Sequence, residues 1–200
     1  MAEKKLSKLT IGVIVVFLLS FYGFPASASE FKASVFEQVE DQIKIGKIYV
    51  QNSLYRLEQE LQGNKFIVIV DQDACLSKVL SISHGQYMEM ACDNEASINN
   101  DPFQTLRKMV QNCVFEQLST EKVSGYDCEN SSLTFEGNKV GTQWVSEKLN
   151  FPVRYINHIL RDKILELRDI EEGPVDDTLF VVPPSFVKTD KFAKLADKPE

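Results

Sequence analysis

Four cysteines and two histidines are the side chains of this 200-residue chain best suited to covalent, redox or metal chemistry. Cys75, Cys92, Cys113 and Cys128 form no Cys-x-x-Cys pair, the spacing that would bring two thiols together for zinc or redox work. An even count in an oxidising compartment reads first as disulfides, and four cysteines allow three pairings. Cys75–Cys92 with Cys113–Cys128 closes two short local loops and is preferred; a redox or metal site is the alternative. His84 and His158 are remote from one another in sequence. Ser83-His84 are neighbours in a turn, without the third group that a hydrolytic nucleophile requires. Asp71-Gln72-Asp73 offers too few oxygens for a calcium loop. An acid–base pair picked from so many carboxylates carries no information, so catalysis, a cofactor and a metal are not expected.

The first 28 residues have the grammar of an export signal. Lys4, Lys5 and Lys8 precede an apolar stretch from Leu9 to Phe24, Pro25 breaks it, and Ala26-Ser27-Ala28 offers small residues where a signal peptidase cuts. The apolar stretch is shorter than the roughly 20 residues a spanning helix needs, so cleavage is preferred over an uncleaved anchor. The expected organisation is a signal peptide over 1–28, one domain over 29–187 and a flexible tail over 188–200, working in the periplasm or otherwise secreted. The chain carries a formal charge of −7; residues 1–28 hold +2 of it, leaving −9 for the rest. That balance opposes phosphate-backbone binding, which depends on lysine and arginine displacing counterions, and so argues against a nucleic-acid partner.

The elements that would position any site read mostly as strands. Phe31, Ala33, Val35 and Val39 share one parity, although Phe31, Val35, Val39 and Ile43 also recur at helical spacing. Gly46 shifts the phase before Ile48 and Val50, which predicts a turn or bulge there. Strands follow around Tyr55–Leu61, Phe66–Val70, Cys75–Ile82 and Gln86–Cys92, with turns at Gly63-Asn64 and His84-Gly85. Asp101-Pro102 reads as a helix N-cap and first turn. Phe103, Leu106, Met109, Val110 and Cys113 then recur at helical spacing, with Gln104, Arg107, Lys108 and Gln111 opposite. Strands return from Glu121 and continue as Ser132–Glu136, Val140–Val145, Phe151–Leu160 and Lys163–Ile170, before a short helical turn at Asp176–Phe180. Nine or ten strands with one embedded amphipathic helix predict a mainly β fold, a curved antiparallel half-open barrel.

Several phrases, in order, resemble the periplasmic outer-membrane lipoprotein-carrier (LolA/LolB-like) superfamily: Gly46-Lys47-Ile48-Tyr49-Val50, Tyr55-Arg56, Gly125-Tyr126-Asp127-Cys128, Trp144-Val145-Ser146 with Phe151-Pro152-Val153, and Glu172-Gly173-Pro174-Val175-Asp176-Asp177 with Leu179-Phe180. The resemblance spans Phe31 to about Val187. It implies an incomplete barrel whose apolar concavity shelters acyl chains, with lipid acyl chains or a lipoprotein as partner and a membrane protein as a transient one. The stretch comparable to the carriers' lid-latching arginine reads Asn52-Ser53, and Arg56 matches a second arginine common on the next strand. Tyr49, Tyr55, Arg56, Met88, Met90 and Trp144 on strands, with Phe103, Leu106, Met109 and Val110 on the helix, are the candidate ligand-binding residues. The same apolar residues would serve equally as a filled core, and then the domain would be a protein–protein interaction module of the envelope.

Overall fold

The computed structural model describes residues 29–61 and 63–191; the export-signal segment lies outside them. The first strand settles the competing helix reading. Phe31, Ala33 and Val35 are buried while Lys32 faces solvent, the period-two pattern of β1 (Glu30–Val39). The chain reverses at Glu40, whose backbone adopts a left-handed φ of 52°, and returns as β2 (Gln42–Gln51). No bulge occurs at Gly46: β1 and β2 pair without a register break from Glu30↔Gln51 to Val39↔Gln42. Gly46 is there for space. A Cβ at this position would lie 2.6 Å from the Glu58 carbonyl oxygen, so the neighbouring backbone can approach only a glycine.

The meander continues through β3 (Leu54–Leu61), β4 (Asn64–Asp71), β5 (Leu76–Ser81) and β6 (Gln86–Ala91), each antiparallel to its predecessor. A second meander comprises β7 (Val114–Val123), β8 (Tyr126–Phe135), β9 (Asn138–Ser146), β10 (Phe151–Asn157) and β11 (Lys163–Glu172). The two join where β1 pairs with β11. Near the C-terminus, β12 (Val187–Lys188) adds a short parallel edge to β6, and Thr189 N–H bonds to the Tyr87 carbonyl. Pairing thus extends into the segment predicted as a flexible tail from 188. The sheet order is β12-β6-β5-β4-β3-β2-β1-β11-β10-β9-β8-β7, a curved, mainly β sheet of the half-open-barrel type whose two ends do not pair with each other among the described residues.

Two helices, not one, connect β6 to β7. α1 (Glu95–Asn99) is capped by the Asn94 side chain, and α2 (Pro102–Val110) by Asp101, with proline at its first turn as the sequence predicts. α2 stops at Val110 rather than Cys113. Gln104, expected on the solvent side, is buried in a helical segment where α1 and α2 pack together. β7 begins at Val114, well before the predicted return of strands at Glu121. Its residues Val114–Lys122 are exposed on both faces, so no apolar alternation advertises it; pairing with β8 alone defines it.

The inner face of the sheet carries the main core, which includes Phe31, Val35, Ile48, Val50, Tyr55, Leu57, Val68 and Val70, and α2 packs into it through Phe103 and Leu106. On the outer face, Ile67, Ile69, Leu80 and Phe180 form a smaller cluster beneath a 3₁₀ turn, Asp177–Phe180. The turn is capped by the Asp176 carboxylate, as the sequence predicts a short helical turn there.

Candidate functional site

Topology places α2. The helical segment leaves β6 at one end of the sheet and must reach β7 at the other, so α2 lies against the inner face of the unclosed sheet. The Asp101 carboxylate accepts hydrogen bonds from the Phe103 and Gln104 backbone N–H groups at 2.8 and 3.4 Å, stabilising the first turn. It also accepts one from the Tyr55 hydroxyl on β3 at 2.6 Å. This tie crosses from helix to sheet entirely inside the protein. Burial raises the Asp101 pKa from 3.8 to about 6, against the opposing pull of the Tyr55 and backbone hydrogen bonds. The Tyr55 hydroxyl is held well above its usual range, first by burial and then by the Asp101 charge.

The helix does not fill the concavity. A hollow of about 520 Å³ lies along it, within the range of small-molecule sites. Its roof is Phe103, Leu106 and Val110 of α2; its walls are Val50, Tyr55, Val145, Leu149 and Phe151. The rings of Tyr55, Phe103 and Phe151 meet edge-on or tilted, with centroids 5.3–6.3 Å apart, so they form one rigid aromatic wall. Polar residues share the lining: Ser29, Asn52, Ser53, Gln72, Asp73, Arg107, Gln143 and Asn150. A second hollow, of about 390 Å³, lies at the other end of α2 beside Ile43, Ile45 and Leu57. Its Glu37 already pairs with Lys163 at 2.9 Å and, more loosely, with Lys44 at 3.8 Å, so those charges are satisfied without a ligand. Asp101 borders this second hollow and Tyr55 the first, so their hydrogen bond stands between the two.

Of the ten residues singled out from the sequence, the structure brings Tyr55, Phe103, Leu106 and Val110 together around the larger hollow. Met109 packs against the same core, its sulfur accepting the Tyr155 hydroxyl at 3.0 Å. Met90 packs against the core, and Met88 sits half-buried opposite Val79 on β5; neither borders the hollow. Tyr49 and Arg56 lie on the outer face. Arg56 donates to the Leu179 carbonyl at 2.9 Å and pairs with Glu58, which fixes the 3₁₀ turn to β3. Trp144 turns away too: its indole N–H donates to Glu121 and the Arg154 guanidinium lies 5.6 Å over its ring, while its strand neighbours Gln143 and Val145 border the hollow. Sequence reasoning missed Val145, Leu149, Arg107 and Asp73 as lining residues. Strand alternation from Gln143 could have found Val145; the other three lie on turns or an exposed helix face, where periodicity is silent.

The cysteines need one correction. Cys75 and Cys92 form a disulfide with Cα atoms 4.9 Å apart, joining the start of β5 to the end of β6. Cys113 and Cys128 are free thiols, not a pair. The Cys113 thiol lies past the end of α2 and donates to the Met109 carbonyl, while Cys128 is buried on β8 against the Tyr126 carbonyl. Both thiols are pushed up in pKa by burial, which keeps them protonated and poor nucleophiles. The Asp71 carboxylate accepts the Ala74 N–H and so closes the turn between β4 and β5.

A family model described as a domain of unknown function (DUF4412) matches residues 36–150. No curated protein matches the chain. Among solved structures, an uncharacterised conserved protein from Thermus thermophilus is similar at 9% identity with a TM-score of 0.56, covering 82% of this chain and 93% of that one. The MucA/MucB complex of Pseudomonas aeruginosa matches at 14% identity and TM-score 0.49, over 75% of this chain and 54% of that one. A LolA superfamily protein from Nitrosomonas europaea matches at 10% identity and TM-score 0.38, over 79% and 91%. The likeness to the Thermus thermophilus protein is one of overall fold.

Proposed function

The chain belongs to the DUF4412 family of domains of unknown function, and from its own geometry we propose that it is a non-catalytic carrier or binder that shelters an acyl chain in the hollow beside α2. The observation that carries this reading is a space of about 520 Å³ walled by Tyr55, Phe103, Leu106, Val145 and Phe151 inside a domain whose sheet does not close. Each methylene moved from water into such a wall contributes about 0.8 kcal/mol. Ten methylenes therefore supply roughly 8 kcal/mol before the cost of association is subtracted, enough for binding without a specific polar contact. The disulfide supports an oxidising compartment, and the export-like first 28 residues agree with a periplasmic or otherwise secreted protein.

The test is displacement of a fluorescent fatty-acid probe, with native mass spectrometry of protein purified from its own envelope. Wild type is expected to bind the probe and to carry a lipid-sized adduct. Val145→Trp, which fills the hollow from the wall, is expected to weaken the probe at least tenfold while near-ultraviolet circular dichroism stays native-like. Equal probe binding by wild type and Val145→Trp, or no adduct and no probe binding, refutes the reading.

A second reading, an envelope protein-interaction module, draws on β7. This edge strand exposes Val114, Phe115 and Leu118 beside an unpaired row of backbone groups. It predicts crosslinks from β7 to a protein partner, and no dependence on Val145.

A further inference from the structure

The rim of the larger hollow holds two opposite charges that do not satisfy one another. Arg107 projects from the exposed side of α2, and Asp73 from the turn between β4 and β5. They are the two charged side chains in the lining of the hollow, and neither forms an ion pair or side-chain hydrogen bond among the described residues. Both are held by rigid supports. Arg107 stands on a capped helix tied to β3 through Asp101 and Tyr55. The turn of Asp73 is fixed on three sides: Gln72 N–H bonds to the Ser53 carbonyl at 3.0 Å, Ala74 N–H bonds to Asp71, and Cys75 is in the disulfide. Asn52, Gln143 and Asn150 add uncharged donors and acceptors to the same lining.

We propose that this rim selects a single-chain amphiphile with a zwitterionic phospho-amine head, the phosphate facing Arg107 and the ammonium facing Asp73, while its acyl chain enters the hollow. The inference rests on the acyl-chain reading above and names the head group that reading leaves open. A purely anionic head would meet Arg107 but bring a second negative charge to Asp73, in a domain that is already acidic. An uncharged head would leave both rim charges without a partner. A guanidinium suits phosphate through paired N–H donors, and a carboxylate suits ammonium as a charge-assisted acceptor. One chain, not two, matches a hollow of this volume.

The test is isothermal calorimetry of the full exported domain with four ligands, three of them sharing one acyl chain. These are monoacyl-glycerophosphoethanolamine, monoacyl-glycerol phosphate and monoacylglycerol; the fourth is chain-free glycerophosphoethanolamine. The zwitterion is expected to bind about five- to tenfold tighter than monoacylglycerol, in keeping with charge-assisted contacts at a wet rim. In Arg107→Gln that ratio should collapse toward one. In Asp73→Asn the anionic phosphate should overtake the zwitterion. The free head should not bind measurably. A ratio near one in wild type, or ratios unaltered by both substitutions, overturns the head-group assignment while leaving chain binding in place. Failure of all three acyl ligands refutes the chain reading itself, and the head-group proposal with it. Binding of the free head as tight as that of the lipid would show a phosphate–amine site that uses no chain, and would overturn the proposal as well.

Discussion

Tyr55 and Asp101 lie 46 residues apart and meet at 2.6 Å where the start of α2 crosses β3. Each had a plain reading by itself, an aromatic on a strand and an N-cap on a helix. Only their contact makes a latch between helix and sheet. The latch has a pH signature. Folding raises the Asp101 pKa from 3.8 to about 6, chiefly by desolvation. Between these values the folded protein keeps a proton that the unfolded chain has released, so stability falls as pH rises from about 4 to 6 and levels off above. The whole span amounts to about 3 kcal/mol. Asp101→Asn, whose single carbonyl oxygen still caps the helix while its amide N–H faces the Tyr55 hydroxyl oxygen, removes that slope. Urea unfolding of both proteins at pH 4, 5, 6 and 7 checks this; a wild-type-minus-variant difference that is flat with pH would contradict it.

At the scale of elements, what could be read in advance followed how local each signal is. β1 and β3 announce themselves by alternation because one face is more deeply buried than the other, and β4 by a continuous apolar run, since Ile67, Val68, Ile69 and Val70 are buried on both faces. α2 announces itself by its cap, its proline and its apolar stripe. β7 does not, since both faces are exposed and its hydrogen-bonded partner, β8, supplies the reason it is a strand. α1 is five residues long, too short for periodicity. Gly46 was visible as an interruption, but its cause was not, because the Glu58 carbonyl that crowds it comes from the next strand. Gly46→Ala should therefore force β2 and β3 apart and cost about 1–3 kcal/mol. Its backbone φ is not in the left-handed region, so the loss is one of contact distance alone. A denaturation midpoint indistinguishable from wild type would show that the strands can separate without penalty.

At the scale of the molecule, the disulfide and the unclosed sheet act together. Cys75–Cys92 ties the Asp73 turn to the chain entering α1, so one covalent link braces both the rim of the hollow and the approach to α2. With a sequence separation of 17 between its ends, it stabilises the fold by about 3 kcal/mol through the unfolded chain. Thiol titration of the unfolded, unreduced protein should count two groups, Cys113 and Cys128. Cys75→Ser/Cys92→Ser should lower stability by about that 3 kcal/mol. Four reactive thiols, or none, would contradict the pairing.

The sequence alone determined the local facts of this protein: the acidic balance, the export-like start, the parity of most strands, and the cap and stripe of α2. Each depends on residues within a few positions of one another, and backbone geometry turns such spacing directly into a face or a turn. The tertiary structure decided what lies between distant segments. It chose one cysteine pair of two, left Trp144, Tyr49 and Arg56 outside the lining of the hollow, and brought Arg107 and Asp73 into it. Those outcomes follow from sheet curvature, strand order and the path from β6 to β7, which arise from long-range pairing and leave no period in the chain.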